Sequence, residues 1–427
     1  MTKISVPYAH TYLEAEIPEQ NFRGVFAAKH LQCDANITQN ELVRSALANP
    51  VASPRLEELV KGKKNMVIIT SDHTRPVPSK VIMPEILAEA RKGNPDINIT
   101  ILVATGFHRA TTREELINKL GTDIVDNERI IVHDSQDKST LVQLAPLPSG
   151  GELWVNKLAV ETDLLIAEGF IEPHFFAGFS GGRKSVLPGV AGAQTVLANH
   201  CSEFIASPHA RTGGLENNPI HRDMLFAAGE ASLAFIVNVI IDEKKNVVKA
   251  FAGDFRQAHE AGCAFLNELV RIEVPLSDIV ITSNGGYPLD QNIYQAVKGM
   301  TAAEAAVKKG GVIIMAAACN DGHGGQSFFD NMANAHCPGQ VLARALKVPR
   351  NETIPDQWEF QILARVLKHC EVIMVSDMCP PEMIKAMHMK HAFTLDEAIA
   401  EALKLKGGNA GIAVIPDGVS VIVKAKD

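Results

Sequence analysis

A glycine-rich stretch in the first half of the sequence carries the residues best suited to chemistry. Residues 172–189 read EPHFFAGFSGGRKSVLPG, and His200 follows shortly after. Lys184 is a nucleophile once deprotonated, and the neutral imidazoles of His174 and His200 can ligate a transition metal. The glycines between them allow the backbone to approach a ligand closely. This combination predicts a bound cofactor rather than core packing.

Polar residues also follow several apolar runs that predict buried strands. Asp72 and Arg75 come directly after the first run. His108 follows the second run, and His174 follows a later one. In open α/β sheets the carboxyl ends of the strands form the ligand crevice. We therefore expect these four side chains to converge on one site.

Single histidines are usually surface residues or hydrogen-bonded core residues. His73 and His133 keep that ordinary interpretation. Repeated placement just beyond strand ends favours a functional role for His108 and His174 instead.

Two glycine-rich turns have more than one interpretation. The turn at 178–185 would suit a phosphate, since glycines bring backbone N–H groups close to an anion. It is not a Walker A loop, because Arg183 stands where that motif requires glycine before lysine. A flexible turn with a solvated lysine is the alternative. The turn at 321–325, Asp-Gly-His-Gly-Gly, lines a cleft or is only a turn, and we leave it unassigned.

The stretch at 284–300 begins with NGGYPLD, which predicts a tight turn leading into a helix. On that helix Tyr294, Gln295 and Lys298 share one face, since residues three and four apart are neighbours. A lysine and an amide that face a cleft would suit a carboxylate. A solvated helix face is the alternative.

The composition is that of a globular protein without a face for nucleic acid. The 427 residues are 46% hydrophobic and 21% charged, with a net charge of −8, whereas phosphate binding needs a concentrated basic face. No apolar run reaches membrane-spanning length and the first residues lack a signal-peptide core, so we expect a cytoplasmic protein that binds no membrane. The seven cysteines are scattered without a Cys-x-x-Cys pair, which predicts reduced thiols.

Short apolar runs alternate with amphipathic stretches along the chain. This pattern predicts an α/β fold of two α/β domains, with mostly parallel sheets and an interdomain cleft. Predicted strands lie at 66–70, 99–104, 130–132, 163–167, 278–282, 311–316, 372–375, 412–415 and 419–423. Predicted helices lie at 78–92, 111–120, 255–270, 302–308, 341–346, 357–367 and 395–405. We expect an N-terminal cofactor-binding domain at 1–272, completed by 411–427, and a C-terminal domain at 273–410 that closes over the substrate site.

Taken together, these stretches resemble the family of nickel-dependent lactate racemases (LarA) over essentially the whole chain. The most specific segments are 71–76, 106–108, 174–184, His200, 291–298 and 354–358. The resemblance implies a nickel pincer nucleotide, a pyridinium-3-thioamide-5-thiocarboxylic acid mononucleotide that carries nickel. It implies covalent attachment at Lys184 as a thioamide. The tethered ring would supply S, C and S to nickel, and His200 would be the fourth ligand.

The same resemblance implies roles for the other site residues. The implied catalytic residues are His108, His174, Arg75 and Lys298, and the implied substrate-binding residues are Arg75, Gln295, Lys298 and Phe176. The implied cofactor-binding residues are Lys184, Asp72, Arg75, Gly181, Gly182, Tyr294 and Trp358. Separate enzymes would synthesise and load the cofactor, and a homodimer is a candidate assembly.

The expected chemistry is racemisation of a short 2-hydroxy acid by hydride transfer. Removing the α-hydrogen as a proton beside a carboxylate would create a dianion, whereas removing hydride leaves a ketone. No side chain accepts hydride, so a cofactor must do so. His108 and His174 would take the hydroxyl proton, one for each enantiomer. Asp72 would orient Arg75 or a histidine, and Trp358 and Phe176 would exclude water.

Three alternatives stay open. Pro173 stands where the lactate enzyme has serine, next to His174, so a racemase or epimerase of a different 2-hydroxy acid with the same cofactor is one. A zinc hydrolase built on His174 and His200 is the second, although no carboxylate ligand lies at a familiar spacing. The third is a nickel or cofactor carrier without turnover, against which the two histidine bases argue.

Overall fold

The structure is a computed structural model that describes residues 1–29 and 36–426. Its strands are β1 Thr2–Tyr8, β2 Thr11–Ile17, β3 Phe22–Val25, β4 Asn65–Ser71, β5 Asn98–Ala104, β6 Arg129–Val132, β7 Leu141–Gln143, β8 Trp154–Asn156, β9 Leu165–Phe170, β10 Pro173–His174, β11 Gly178–Phe179, β12 Leu233–Ile241, β13 Val247–Gly253, β14 Arg271–Pro275, β15 Ser277–Ser283, β16 Val307–Ala316, β17 Glu371–Val375, β18 Lys390–Ala392, β19 Ile412–Ile415 and β20 Ile422–Lys426.

The α-helices are α1 Gln39–Ala48, α2 Leu56–Leu59, α3 Ser79–Gly93, α4 Arg113–Leu120, α5 Thr122–Asn127, α6 Lys157–Val160, α7 Ala193–Asn199, α8 Ser202–Ala206, α9 Pro219–Glu230, α10 Gln257–Val270, α11 Ile293–Glu304, α12 Gln326–Ala333, α13 Pro338–Ala345, α14 Gln357–His369, α15 Pro381–Ala386 and α16 Leu395–Lys406. Short 3-10 helices lie at Lys138–Thr140, Gly182–Ser185 and Arg350–Glu352. No helix in the described ranges is long and apolar enough to cross a membrane.

The first sheet has six strands in the order β13-β12-β9-β4-β5-β6. The β12–β13 pair is antiparallel, and the other pairs are parallel. All six residues of β9 are buried, and so are the middle five of β4, as a parallel sheet covered on both faces requires.

The second sheet also has six strands, in the order β18-β17-β16-β15-β19-β3, and all of its pairs are parallel. Two large, mostly parallel sheets with helices between their strands confirm the predicted α/β class. In the first sheet, α4 begins as predicted, with Thr112 and Glu115 forming a reciprocal capping box.

The first 25 residues lie with the second sheet, which differs from their expected place in the N-terminal domain. Strand β3 pairs with β19 at the sheet edge. The β1–β2 hairpin buries Ile4, Val6 and Ile17 in the same apolar cluster as Ile279 of β15. The hairpin's alternating burial leaves one apolar face that must be covered, and the second sheet covers it.

The end of the chain, expected to complete the N-terminal domain, contributes one strand to the second sheet and one to a separate two-stranded sheet of β14 and β20. Strand β19 lies inside the second sheet, between β15 and β3. Strand β20 pairs with β14, and its Ile422 packs against Leu266 and Val270 of α10. This strand begins at Ile422, three residues later than predicted.

The predicted helix at 302–308 is wrong. The helix in this region is α11, which begins at Ile293 after the cap Asn292 and ends at Glu304. Strand β16 already begins at Val307, which pairs with Ser277. The alanines in this stretch favour a helix, but the residues after them pair with β15 in a parallel sheet.

The six cysteines among the described residues, from Cys201 to Cys379, are free thiols. Cys33, the other cysteine of the sequence, lies outside the described residues.

Candidate active site

A cavity of about 270 Å³ lies where the carboxyl ends of β4, β5 and β9 face α11 and α14. It brings together nearly all the site residues expected from the sequence. Those that line it are Asp72, Arg75, His108, His174, Phe176, Gly181, Lys184, His200, Tyr294, Gln295, Lys298 and Trp358. Gly182, His73, His133 and Pro173 are not part of the lining. We call Asp72, Arg75 and His108 the rim, and His174, Lys184 and His200 the floor.

At the rim, His108 is bonded to the carboxylate of Asp72. Its Nδ1 lies 2.6 Å from Asp72 Oδ2, and its side chain is 42% exposed. Asp72 also accepts hydrogen bonds from the backbone N–H of Thr74 at 3.0 Å and from its hydroxyl at 2.6 Å. Burial alone would raise the pKa of Asp72, but its bond to His108 and the charge of that ring outweigh burial and lower the pKa.

An ionised carboxylate only accepts hydrogen bonds, so Nδ1 of His108 carries the proton. When the ring carries this single proton, Nε2 has a free lone pair, which is what a general base requires. The chain reaches this position through a sharp turn after β5, with Gly106 at φ 54°. Of the two partners predicted for Asp72, the geometry therefore selects the histidine.

At the floor, His174 has no carboxylate partner among the residues that the structure describes. Its Nδ1 accepts a hydrogen bond from the backbone N–H of Ala177 at 3.3 Å. Its ring lies edge-on to Phe176, with centroids 4.6 Å apart. Burial first, and then the positive charges of Lys184 and Lys298, lower the pKa of His174 well below its usual value. The ring is therefore neutral.

His200 follows the last turn of α7 and is buried between two aromatic rings. Its centroid lies 5.1 Å from that of Phe176 and 5.2 Å from that of Trp358. Burial, followed by the charge of Lys184, lowers the pKa of His200 to about 3. Its Nδ1 is buried without a hydrogen-bond partner in the part of the chain that the structure describes. A neutral imidazole with an unused nitrogen is suited to a metal.

The described residues hold no group of three or more His, Cys, Asp or Glu side chains able to bind a metal ion. A zinc hydrolase built on His174 and His200 would therefore lack a ligand set among these residues. A metal beside His200 would need its other donors from a bound group.

Lys184 lies in the 3-10 helix Gly182–Ser185, with Nζ 5.9 Å from the centroid of the Phe176 ring. Burial is the main cause that lowers the pKa of Lys184 well below its usual value, and the charges of Arg183 and Arg75 add to it. Both effects favour the uncharged amine, which is the nucleophilic form. The glycine before this helix, Gly181, has φ 79°, which favours glycine.

The turn at 178–185 uses its backbone N–H groups internally. Ser180 N donates to Glu172 O at 2.9 Å, and Lys184 N donates to Gly181 O at 3.1 Å. Gly182 N donates to Asn238 Oδ1 at 2.7 Å. The phosphate interpretation has no support from these three groups, because each already has a partner.

The wall opposite the rim comes from α11 and α14. Lys298 Nζ donates to Gln295 Oε1 at 2.6 Å, so the two side chains form one polar unit on α11. Trp358 Nε1 donates to the hydroxyl of Tyr294 at 3.0 Å, which links α14 to α11. An ammonium and an amide side by side in a cavity are suited to binding a carboxylate.

The turn at 321–325, left unassigned from the sequence, supports the start of α11. Ile293 N donates to Gly322 O at 3.0 Å, and Tyr294 N donates to His323 O at 3.2 Å. A side chain at Gly324 would meet Asn292 at 2.5 Å, and its φ of 80° also favours glycine. The turn acts on the site by holding α11 in place.

Two buried carboxylates in the cavity lining were missed from the sequence. Glu359 is fully buried, and both of its oxygens lack a hydrogen-bond partner among the described residues. Burial raises the pKa of Glu359 to about 8, with Lys298 opposing the shift. Glu168 accepts hydrogen bonds from Thr70 and Ser79, the latter at 2.7 Å. Glu168 had a sequence signal, an acid inside an apolar run, whereas Glu359 had only its position after Trp358.

The two histidines assigned an ordinary role lie away from the cavity. His133 is buried, with Nε2 3.0 Å from Ala191 O and Nδ1 3.1 Å from Asn156 Nδ2. His73 has its Nδ1 3.1 Å from Thr111 Oγ1. Both have the hydrogen-bond partners expected of structural residues.

Comparisons with known proteins show the family to which this chain belongs. The family model described as the lactate racemase N-terminal domain matches residues 8–213, and the C-terminal domain model matches residues 272–423. A lactate racemase from Thermoanaerobacterium thermosaccharolyticum is 54% identical over 426 residues, which is the full length of both chains. A lactate racemase from Lactiplantibacillus plantarum is 54% identical over 424 residues, covering 99% of this chain and all of that protein.

Solved structures give the same result. The lactate racemase apoprotein from Thermoanaerobacterium thermosaccharolyticum superposes with a TM-score of 0.96 and 54% identity, covering 99% of this chain and 100% of that one. A Thermotoga maritima protein with a TM-score of 0.65 and 19% identity shares the fold alone. The resemblance seen in the sequence is confirmed, and this chain belongs to the lactate racemase family of isomerases.

Proposed function

We propose that this protein interconverts the D and L enantiomers of a short 2-hydroxy acid, most simply lactate. Hydride would pass to and from a nickel pincer nucleotide attached to Lys184. Two full-length relatives that are named lactate racemase support the substrate class. The observation that carries the proposal is one cavity that holds two candidate bases, a lysine whose pKa is lowered by burial, and a buried imidazole nitrogen without a partner among the described residues.

The residues present fit the implied cofactor. Lys184 offers an amine whose uncharged form is favoured by burial, and His200 offers a neutral imidazole whose Nδ1 has no partner among the described residues. The incomplete protein ligand set around His200 suits a group that brings its own donors. When bound, the cofactor would supply the hydride acceptor and three nickel ligands, and His200 would be the fourth.

The protein's own residues would then bind the acid and move its hydroxyl proton. Arg75 at the rim, with Lys298 and Gln295 on the opposite wall, would hold the carboxylate. Nε2 of His108 is ready to accept the hydroxyl proton of one enantiomer. His174 would serve the other enantiomer from the floor. Phe176 and Trp358, packed on His200, would keep water from the reacting carbon.

Lys184→Ala tests the attachment. Protein produced together with the loading enzymes should show the added cofactor mass under denaturing conditions, and Lys184→Ala should lose it together with all racemisation. Lys404→Ala, at an exposed lysine, is the matched control and should keep both. If Lys184→Ala retained the adduct, the proposed tether would be wrong. His200→Ala should keep the organic mass and hold nickel poorly, since one ligand is lost.

Solvent deuterium tests the hydride route. Hydride that leaves and returns within the site does not exchange with water, so the product should carry no solvent deuterium at its α-carbon. One deuterium per turnover would instead show proton abstraction and overturn the mechanism.

A different 2-hydroxy acid remains the alternative substrate, because Pro173 replaces the serine of the lactate enzyme. Pro173 pairs with Phe179 in the β10–β11 hairpin and is not part of the cavity lining. This position therefore gives no specific reason to prefer another acid. A panel of short, branched, aromatic and dicarboxylic 2-hydroxy acids would decide, with lactate expected to give the highest kcat/KM.

We also propose that separate enzymes load the cofactor and that the protein acts in the cytoplasm. The division at residue 272 would separate a cofactor-binding domain from one that closes over the substrate. With the observed strand pairing, residues 2–25 and 412–415 would belong to the second domain.

A further inference from the structure

Arg183, the residue before Lys184, is a buried cation that the proposed reaction does not use. Its side chain is 1% exposed, and it is among the largest fully buried side chains of the described residues. Among those residues, no carboxylate forms an ion pair with it, and burial raises the pKa of the nearby Cys263 thiol to about 12, so that thiol supplies no counter-charge at neutral pH. Burial lowers the pKa of Arg183 to about 10, so the guanidinium still carries its charge at neutral pH. A buried charge without a counter-ion is costly and calls for an explanation.

The guanidinium is satisfied by the backbone of the turn that leads to Lys184. One terminal nitrogen donates to Ala177 O at 2.7 Å. The other donates to Phe179 O at 2.8 Å and to Gly181 O at 3.2 Å. These carbonyls come from alternate residues of the segment 177–181, so the segment is wrapped around the charge. Lys184 follows directly and points into the cavity.

Two neutral histidines complete the surroundings of Arg183. Its Nε donates to His221 Nδ1 at 2.9 Å. The ring of His259 lies against it, with Nε2 2.8 Å from Ser180 O. Burial, followed by the charge of Arg183, lowers the pKa of both rings, to about 3 for His221. The arginine therefore keeps its full positive field next to Lys184.

We propose that Arg183 is a positioning residue that holds the 177–184 segment around its guanidinium and places a buried, unpaired positive charge next to Lys184. The fold thus prepares Lys184 for attachment before any cofactor arrives. A hydrogen-bonded anchor without charge would shape the turn equally well, but it would leave Lys184 easier to protonate. The inference rests on the proposed role of Lys184 as the attachment residue.

Other charged and titratable groups also face Lys184. Those from other elements are Arg75, Glu172, His174, His200 and Lys298. Arg75 and Lys298 act in the same direction as Arg183, and Glu172 acts against it. Arg183 differs from these groups because it is next to Lys184 in sequence, is fully buried and has no counter-ion among the described residues. A carboxylate introduced beside Arg183 would therefore neutralise its charge without changing the other groups.

A matched pair of substitutions at His221 makes that separation. His221→Glu places a carboxylate beside Nε of Arg183 and cancels its field without removing its contacts to the backbone. His221→Gln places a neutral acceptor of similar size there and leaves the field intact. A purely structural role for Arg183 predicts the same behaviour for both variants.

The readout is the pH dependence of Lys184 acetylation in full-length protein made without the loading enzymes. Acetic anhydride acylates only neutral amines: an N–C bond forms, and acetate leaves with the proton going to solvent. Peptide mass spectrometry from about pH 6 to about pH 11 gives the midpoint for Lys184, with exposed Lys404 as internal reference. The solved apoprotein of the T. thermosaccharolyticum relative shows that a chain of this family folds without cofactor.

We expect the wild-type midpoint of Lys184 to lie well below that of Lys404. His221→Glu should raise the Lys184 midpoint by about one pH unit or more, which corresponds to about tenfold slower acetylation at a fixed pH below the midpoint. His221→Gln should leave the Lys184 midpoint unchanged. Arg183→Gln should raise it in the same way, with Arg211→Gln as the control for loss of a carbonyl-bound arginine elsewhere. If Arg183→Gln does not fold, the comparison of Lys184 midpoints in His221→Glu and His221→Gln still tests the inference.

Equal midpoints in His221→Glu and His221→Gln, or a wild-type midpoint equal to that of Lys404, would overturn the inference. Neither result would depend on the cofactor. Retention of the cofactor mass in Lys184→Ala would overturn the proposed attachment instead, so the two failures are distinguishable.

Discussion

The rim and the floor of the cavity prepare their histidines in opposite ways. At the rim, the half-exposed His108 is held by the carboxylate of Asp72. At the floor, His174 has no carboxylate partner among the described residues and is kept neutral by burial and by neighbouring positive charges. The two histidines both follow strands of the same sheet, but His108 lies beside a negative charge and His174 lies among positive ones.

The difference extends to the ring nitrogens. Asp72 places the proton of His108 on Nδ1, so Nε2 is free to act as a base. His174 accepts the N–H of Ala177 at Nδ1, so its proton lies on Nε2. Before Nε2 can act as a base, the ring must change tautomer: Nε2 loses its proton, Nδ1 gains one, and the hydrogen bond from Ala177 is lost. The site thus has one base set in advance and one that must rearrange.

Removing either histidine should have the largest effect on turnover. His108→Ala and His174→Ala should each lower kcat by about 10²–10⁴-fold, the usual contribution of a general base, while keeping the attached cofactor mass. In single-turnover experiments, each variant should lose oxidation of one enantiomer and keep that of the other. His209→Ala, at an exposed histidine, should be unaffected. Equal loss for both enantiomers would contradict the division of labour between rim and floor.

Asp72→Asn sharpens the comparison, because it acts on the rim alone. The new amide can donate to Nδ1 of His108 and so stabilise the tautomer with its proton on Nε2, which is not a base. Oxidation of the enantiomer that uses His108 should slow by about 10–100-fold, with the other enantiomer little changed. Single-turnover rates for each enantiomer check this, with the exposed Asp96→Asn as control. Equal slowing of both would mean that Asp72 does more than orient His108.

Lys298→Ala removes one cation that faces the floor. KM should rise by about tenfold or more because a charged hydrogen bond to the substrate is lost, and kcat should change less if the contact is equal in ground and transition states. The pKa of His174 should also rise, since Lys298 is one of the charges that lower it. Steady-state kinetics across pH would show both effects, with exposed Lys309→Ala as control. A lower kcat at constant KM would assign Lys298 to the transition state instead.

Glu359→Gln should have the smallest effect on the reaction and a visible effect on stability. The pKa of Glu359 is raised to about 8 in the folded protein, above the ordinary carboxyl value, so the folded state binds the proton more tightly. The resulting stabilisation is present at low pH and is lost as pH rises through about 8. Between the ordinary carboxyl pKa and about pH 8, each added pH unit lowers the free energy of unfolding by at most about 1.4 kcal/mol.

The free energy of unfolding, measured by urea denaturation at several pH values, should therefore fall less with pH in Glu359→Gln than in the wild type. Exposed Glu352→Gln is the control. If the free energy of unfolding had the same pH dependence in Glu359→Gln as in the wild type, Glu359 would titrate as an ordinary carboxyl. Burial would then fail to keep this acid uncharged on the wall, although it favours uncharged bases at the floor.

Much of the fold was predictable because local patterns and tertiary contacts agree. The runs at β4, β5 and β9 are apolar enough to indicate buried parallel strands, and Thr112 with Glu115 marks the start of α4. The convergence of Asp72, His108 and His174 followed from the rule that strand ends share one edge of a sheet. The opposite wall, with Gln295 and Lys298, was found from helical spacing.

Other features depended on partners far away in sequence. Strands β12 and β13, an antiparallel edge of the first sheet, were not predicted. The β1–β2 hairpin packs on strand β15, which begins more than 250 residues later, and no local pattern indicates which sheet the hairpin joins. Glu359 was missed because only the folded environment makes its carboxyl unusual.

The sequence by itself determined the residue types and their order: a lysine and two histidines around a glycine-rich turn, polar residues after strands, and family membership over the whole length. The tertiary structure decided their chemical states. Burial and neighbouring charges set which groups are neutral, and they arise only when distant segments pack together. For that reason His108 and His174 are alike in the sequence and unlike in the fold.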